Sequence, residues 1–261
     1  MFHELQTGGS TTCQNGLTVN ETRINVLIQG RSGLHLCQGR DYKPAYRWGR
    51  KVNIAHLINF PFSNVNEFLV KTALSENGIL AFPTETFYGL GGNALSKKVV
   101  ERVYNIKERP RNKPLLVLIS PEWLPRLCQW NNSRINDLME AFWPGPLTLI
   151  LAGNTELPQH LQCADGTLAV RYTSSQATQC LIKLGNCPII GTSANRTGMP
   201  ACSSAKKVAD QLNDQLDLVI DGGETTGLQA STIVSCLSEP FKLLRHGAIP
   251  LTELNRVCKV Q

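Results

Sequence analysis

From residue 63 onward the apolar positions alternate between two periods. Val65, Phe68, Leu69 and Ala73 recur at three- and four-residue spacing, which predicts a helix with Ser63 or Asn64 as its cap and Gly78 as its stop. Ile79 to Phe82 follows as a short unbroken apolar run, the pattern of a strand buried on both faces. The same exchange continues along the chain, with helices over 96–108, 121–128, 133–141, 174–185 and 203–214. Between them fall strands over 115–119, 147–152, 168–172, 188–190, 217–220, 231–235 and 241–245. Helices and strands trading places in this way predict an α/β domain. No internal repeat or low-complexity tract interrupts them.

The first 60 residues read differently. They are rich in Gly, Asn, Thr and Arg, lack a sustained period, and hold one compact apolar run, Ile24 to Ile28. A poorly ordered extension over 1–60 ahead of a domain over 61–261 is therefore the expected organisation. Acids are few in the extension, yet Glu4 comes early, the arginines come late and no apolar segment follows the N-terminus. Secretion is disfavoured, organelle import has little support, and the expectation is a cytoplasmic protein.

Composition adds limits. The chain of 261 residues is 42% hydrophobic, enough for one substantial core. No apolar run approaches the roughly 20 residues of a membrane helix, so no membrane partner is expected. The nine cysteines form no C-x-x-C pair and read as free thiols of a reducing compartment. The net charge of +6 suggests nucleic acid until it is divided. Residues 1–60 hold seven Lys or Arg (Arg23, Arg31, Arg40, Lys43, Arg47, Arg50, Lys51) against three acids (Glu4, Glu21, Asp41), and the rest of the chain holds 19 against 17. The presumed domain is nearly neutral, which argues against a dedicated nucleic-acid module and leaves only weak tRNA binding in play.

Two polar clusters stand out where regular elements end. Lys107-Glu108-Arg109, with Lys113 close behind, closes the helical run that contains Val99, Val100, Val103 and Ile106; Thr192-Ser193-Ala194-Asn195 follows the apolar run 188–190 and Gly191. Loops beyond strand ends are where open α/β sheets bind ligands, and cations beside hydroxyl and amide groups suit a phosphorylated one. Taken alone, the first cluster fits a solvated helix C-terminus just as well, and the second fits a turn or cap. Gly89, Gly91 and Gly92 make no dinucleotide fingerprint, and no P-loop motif occurs. The five histidines do not cluster, and no metal site is expected. Trp143-Pro144-Gly145-Pro146 and Asp221-Gly222-Gly223 read as turns.

The neighbouring segments carry a resemblance. Phe82-Pro83-Thr84-Glu85-Thr86-Phe87-Tyr88-Gly89-Leu90, Ile106-Lys107-Glu108-Arg109-Pro110, Lys113-Pro114-Leu115, Phe142 to Thr148, Ala169-Val170-Arg171, Thr192 to Asn195, Ser231-Thr232-Ile233-Val234 and Leu244-Arg245 occur in the order and approximate spacing of the YrdC family. Over roughly 63–250 the chain resembles the single-domain threonylcarbamoyl-AMP synthases of that family. The resemblance implies a twisted mixed sheet with flanking helices around a concave pocket. It implies an enzyme that joins L-threonine, bicarbonate and ATP into threonylcarbamoyl-AMP, releasing pyrophosphate, for the t6A modification of tRNA. A downstream threonylcarbamoyl transferase complex would be its partner, and magnesium would arrive with ATP.

The site residues follow from the same resemblance. Both chemical steps accumulate negative charge, so Lys107 and Arg109 are the expected catalytic cations, Lys107 for phosphate or the bicarbonate-derived carboxylate. Arg109, Lys113, Thr167, Ser193, Asn195, Ala201, Thr232 and Arg245 are expected around ATP. Thr84, Thr86, Arg171, Gly191 and Ser231 are expected around L-threonine, with Arg171 gripping its carboxylate by a two-pronged contact. An ion pair with an acid is the ordinary alternative for Arg171 and Arg245. No proton-transfer role falls to Glu85, and no general base is evident. Leu118 stands where many two-domain relatives have a histidine, which implies a threonine pocket arranged as in single-domain relatives; the chain's end soon after residue 250 leaves no room for their additional domain. Two further readings remain, an RNA-binding or ribosome-associated module on the same fold and a paralogue acting on another acyl-adenylate.

Overall fold

The computed structural model describes residues 55–110 and 115–261, together with the backbone of four short upstream strands. Those strands, β1 (Thr11–Thr12), β2 (Leu17–Asn20), β3 (Arg23–Gly30) and β4 (Gly33–Gln38), pair in sequence as an antiparallel meander. The expectation of poor order over 1–60 falls mostly on residues outside those described, as does Lys113.

The domain's elements follow in chain order. They are β5 (His56–Asn59), α1 (Asn64–Ser75), β6 (Leu80–Pro83), β7 (Tyr88–Gly91), α2 (Lys97–Ile106), β8 (Leu116–Leu118), the short α3 (Leu124–Leu127) and β9 (Cys128–Gln129). Next come α4 (Ser133–Phe142), β10 (Leu147–Gly153), β11 (Thr167–Arg171), α5 (Gln176–Gly185), β12 (Ile189–Ile190) and β13 (Thr192–Ser193). The last are α6 (Ala205–Leu212), β14 (Leu218–Asp221), β15 (Thr232–Ser235), β16 (Lys242–Arg245) and α7 (Leu251–Val257). Local chemistry sets several ends. The Ser63 hydroxyl accepts the Asn66 N–H at the start of α1, and Ser96 caps α2 in the same way. At the far end of α1 it is Asn77, with φ 62°, that takes the left-handed turn expected of Gly78.

The strands form two mixed sheets rather than one. The larger runs β12-β8-β11-β10-β15-β16, with β9 added to the end of β10, and the smaller runs β13-β7-β6-β14-β5. In the larger sheet the period of two separates two faces. Leu147, Leu149, Leu151, Leu168, Val170, Val117 and Val234 belong to one, all of them buried in the core. The paired positions Thr148 and Ile233, Ile150 and Ala169, Ala169 and Leu116, Arg171 and Leu118, and Ile233 and Arg245 lie on the other. That second face mixes apolar, hydroxyl and cationic side chains and lines the cavity described below.

The chain crosses between the sheets at Gly191, the single residue separating β12 from β13. A Cβ there would lie 2.5 Å from a Leu118 methyl, so the crossing demands glycine. The glycines of β7 have a similar cause: a Cβ at Gly89 would meet the Phe82 ring at 2.5 Å, and one at Gly91 the Ile190 carbonyl oxygen at 1.7 Å. The missed strand β5 pairs in parallel with β14 over Leu218–His56 to Asp221–Asn59, so the sheet begins before the boundary expected at residue 61.

This pairing yields a test. A chain begun at Val52 keeps β5 and is expected to unfold at the temperature of the full chain in a thermal melt. One begun at Ser63 loses the buried side chain of Ile58 and a ladder to β14, about 2–4 kcal/mol, and should melt several degrees lower.

Candidate functional site

Between the mixed face of the larger sheet and the β6–β7 edge of the smaller one lies a cavity of about 300 Å³. The larger sheet supplies Leu116, Leu118, Thr148, Ile150, Ala169, Arg171, Ile233 and Arg245, with Ser231 just ahead of β15. The smaller sheet and its loops supply Thr84, Thr86, Gly89, Ser193 and Ala201, and Arg109 reaches in after α2. Among the described residues, none that lines the cavity is an acid. Of the residues expected from sequence, Thr84, Thr86, Arg109, Arg171, Gly191, Ser193, Ala201, Ser231 and Arg245 meet at this cavity.

Arg171 ends β11 and is only 3% exposed. Its Nη2 contacts a Glu85 carboxylate oxygen at 2.8 Å and donates to the Thr86 hydroxyl at 3.4 Å. The Thr173 hydroxyl donates a short bond to that same Glu85 oxygen. Thr84 and Thr86 join their hydroxyls at 3.0 Å, fixing the turn that carries Glu85. Arg245 is anchored instead by neutral oxygens: its Nε and Nη2 donate to the Ser231 carbonyl at 3.0 and 2.8 Å, and Nη2 to the Ser231 hydroxyl at 2.9 Å. Desolvation, then the fields of Arg171 and Arg109, pull the Arg245 pKa below its ordinary value. Three guanidinium groups therefore share one electropositive space. Thr148, absent from the sequence-based set, lines the cavity and bonds the Ser231 hydroxyl at 2.8 Å. A hydroxyl alternating with leucines inside the apolar run 147–152 was the available signal.

Lys107 and Arg109 diverge. Glu108 between them adopts a left-handed conformation, φ 46°, which turns the chain after α2. Arg109 lines the cavity, whereas Lys107 is 5% exposed and lies behind the Thr192–Asn195 segment. Its ammonium donates to the Ser193 carbonyl at 2.8 Å, the Asn195 carbonyl at 2.7 Å and the Asn195 side-chain oxygen at 2.8 Å. All three ammonium protons have acceptors, so the expected direct contact of Lys107 with phosphate or carboxylate has no donor left to make it. Burial, reinforced by Arg109, lowers its pKa to about 8.

Asn195 is likewise committed. Its oxygen accepts from Lys107 and from the Ser193 hydroxyl at 2.7 Å, and its amide donates to the carbonyls of Arg196 and Met199 at 3.1 and 2.5 Å. It holds the segment that presents Ser193 and does not line the cavity. Thr232 points to the other face of β15, where its hydroxyl donates to the Ile249 carbonyl at 2.8 Å and accepts the Ile249 N–H at 2.9 Å. Thr167 shares the face of Arg171 but sits at the far end of β11, donating to Asp165 at 2.7 Å. In all three the side chain bonds to the scaffold. No group of three or more metal-ligating side chains occurs among the described residues, and no described helix is long and apolar enough to cross a membrane.

Comparison with known proteins now adds to the geometry. Residues 72–247 match the Sua5/YciO/YrdC family, described as "Telomere recombination". The threonylcarbamoyl-AMP synthase of Pyrococcus abyssi is 37% identical over 197 residues, covering 74% of this chain and 58% of that protein. That of Bacillus subtilis is 37% identical over 186 residues, 70% of this chain and 54% of the other. The chain thus spans about half the length of these curated relatives. The Vibrio campbellii synthase is 30% identical over 182 residues, 68% of this chain and 97% of that protein. Among solved structures, P. abyssi Sua5 complexed with L-threonine superposes with a TM-score of 0.74 at 34% identity, covering 80% of this chain and 62% of that one.

The hold on the Thr192–Asn195 segment has a measurable consequence. Lys107→Met leaves three oxygens without their cationic donor and should cost about 2–4 kcal/mol in chemical unfolding. Amide exchange at Ser193 to Asn195 should speed up while exchange in β10 and β11 stays slow. Unchanged exchange at Ser193 would show that the segment does not rely on Lys107.

Proposed function

Since the chain belongs to the Sua5/YciO/YrdC family, we propose that it condenses L-threonine, bicarbonate and ATP into threonylcarbamoyl-AMP and pyrophosphate. The product would supply a downstream threonylcarbamoyl transferase complex for t6A at position 37 of tRNAs reading ANN codons. The observation that carries this reading is one cavity whose arginines have different settings. Arg171 is held by the Glu85 carboxylate and the Thr86 hydroxyl with Leu118 as its register partner, while the hydroxyls of Thr148 and Ser231 stand between it and Arg245. That combination suits a carboxylate, a hydroxyl and a methyl on one small molecule, as L-threonine has. The P. abyssi relative, solved with L-threonine, supports the assignment. Arg109, Arg245 and Ser193 offer positive charge and a hydroxyl to a triphosphate.

The chemistry then follows from placement. The neutral threonine amine attacks the bicarbonate carbon, a C–O bond breaks with loss of water to give a carbamate, and a carbamate oxygen then displaces pyrophosphate from the α-phosphorus. Holding three reactants in one cavity removes most of the entropic cost of their meeting. Arg109 and Arg245 stabilise charge on the α-phosphate and on the leaving pyrophosphate, and they act strongly because the wall holds no competing carboxylate. Magnesium finds no acidic ligand there, so it would enter on the triphosphate's own oxygens, and no step is assigned to it. Lys107 serves this site through Ser193 and Asn195 without touching substrate. The near-neutral domain and the enclosure of Arg171 give an RNA-binding module no comparable support.

Mass spectrometry of the product formed from ATP, bicarbonate and each amino acid in turn tests the whole reading. Threonylcarbamoyl-AMP formed with threonine alone is the expected result, and ATP consumption without any carbamoyl-adenylate would reject it. Arg171→Lys keeps a cation for Glu85 but not the forked contact, so the threonine KM should rise about tenfold to a hundredfold with the ATP KM within about twofold.

A pH dependence follows as well. As pH rises through about 8, Lys107 loses a proton and one of its three acceptors loses a donor. Nucleotide affinity should therefore weaken above that pH and be regained on return to neutrality. Lys107→Met should bind nucleotide weakly at pH 7 and show no such dependence; an unchanged profile in that variant would assign the transition to another group.

A further inference from the structure

Glu85 touches the cavity only through another residue. It is not part of the lining, although Thr84 and Thr86 on either side of it are. Its Oε2 holds Arg171 Nη2 at 2.8 Å and accepts from Thr173. Its Oε1 is buried without a hydrogen-bond partner, and so is Arg171 Nε. A carboxylate and a guanidinium paired for stability alone would engage just such atoms in a parallel two-bond fork. Here the pair is held at one oxygen and one terminal nitrogen, and buried polar groups left this way cost free energy that a purely structural pair would avoid. The arrangement fixes the guanidinium while leaving it on the cavity wall.

Charge gives the arrangement its purpose. Arg245 rests on neutral Ser231 oxygens, whereas Arg171 faces a part-buried carboxylate. The Arg171 guanidinium is locally compensated, and no acid is paired with that of Arg245 among the described residues. A zwitterion is neutral overall and loses little beside a compensated cation, while inorganic phosphate or pyrophosphate gains more beside an uncompensated one. Resting on the function proposed above, we propose that Glu85 is a positioning and specificity-determining residue. It orients Arg171 for an amino-acid carboxylate and lowers the local charge so that phosphate groups are excluded from the contact with Arg171. The bond from the Thr226 hydroxyl to the Glu85 carbonyl and that from the Gly227 N–H to the Thr86 carbonyl keep this turn in place from outside.

Glu85→Gln in the full chain removes the charge and keeps the shape. Calorimetric titration should show threonine Kd raised about tenfold, the loss of one charge-assisted hydrogen bond, with ATP Kd within about twofold. Inorganic phosphate, which should not displace threonine from the wild-type protein, should compete with it in this variant. Glu85→Asp should recover part of the affinity and the exclusion of phosphate. Thr173→Val, which removes only the hydroxyl donated to Glu85, should shift threonine binding in the same direction by less, and it keeps the test open if Glu85→Gln does not fold. Unchanged threonine affinity in Glu85→Gln, or equal losses for threonine and ATP with no phosphate competition, would overturn the assignment. A wild-type chain that binds ATP but no threonine would overturn it together with the reading on which it rests.

Discussion

Three like charges held at one partly desolvated cavity are the constraint that the surrounding structure answers. Arg109, Arg171 and Arg245 all reach the same space, and no described lining residue is an acid. Desolvation first, and then the fields of Arg171 and Arg109, hold the Arg245 pKa below its ordinary value. Such a cluster persists only if the scaffold fixes every member. Arg171 is braced by Glu85 from behind, Arg245 by the Ser231 backbone, and Arg109 is delivered by the left-handed turn at Glu108. Three cations brought together in this way favour an anionic ligand.

Polar residues around the site consequently divide into two groups. One presents chemistry to the cavity, and the other has every hydrogen-bonding atom engaged in holding the first. Lys107 and Asn195 belong to the second group, and they illustrate how a cation can be indispensable to a charged site without meeting the charge. Buried ammonium groups are expensive unless fully hydrogen-bonded, and Lys107 meets that condition with three carbonyl-type oxygens. The network ties the end of α2 to the loop after β13, elements separated by more than 80 residues in sequence.

Much of this was legible in the chain, and the exceptions have identifiable causes. The α/β alternation, the helix starts at Ser63 and Ser96, and nine of the cavity's residues could be read from period, capping chemistry and ordered motifs. Residue type alone cannot separate a wall from its support: Ser193, at the end of β13, and Asn195, in the loop after it, sit two residues apart, yet only the first lines the cavity. The direction of the Thr232 side chain, away from the cavity, could not be read, because strand register decides which of two neighbours points inward and register is set by partners distant in sequence. Strand β7 went unread because its glycines weaken any strand signal, and they are there for clearance against Phe82 and Ile190. Helix α7 is short, although Leu251, Leu254 and Val257 already show its spacing. The split into two sheets was invisible, since one residue between two apolar or hydroxyl pairs carries the whole transition.

That residue has a wider consequence. At Gly191 the chain leaves one sheet for the other, and the space a side chain would need is filled by Leu118, the register partner of Arg171. The bulk at position 118 and the absence of bulk at position 191 are two halves of one packing decision. A polar side chain of another shape at 118 would have to settle against the same backbone crossing, and a larger residue at 191 would need 118 to shrink. The two positions are therefore free to drift only as a pair, and because one of them borders Arg171, the path between the sheets also limits how the cavity can be remodelled over evolutionary time.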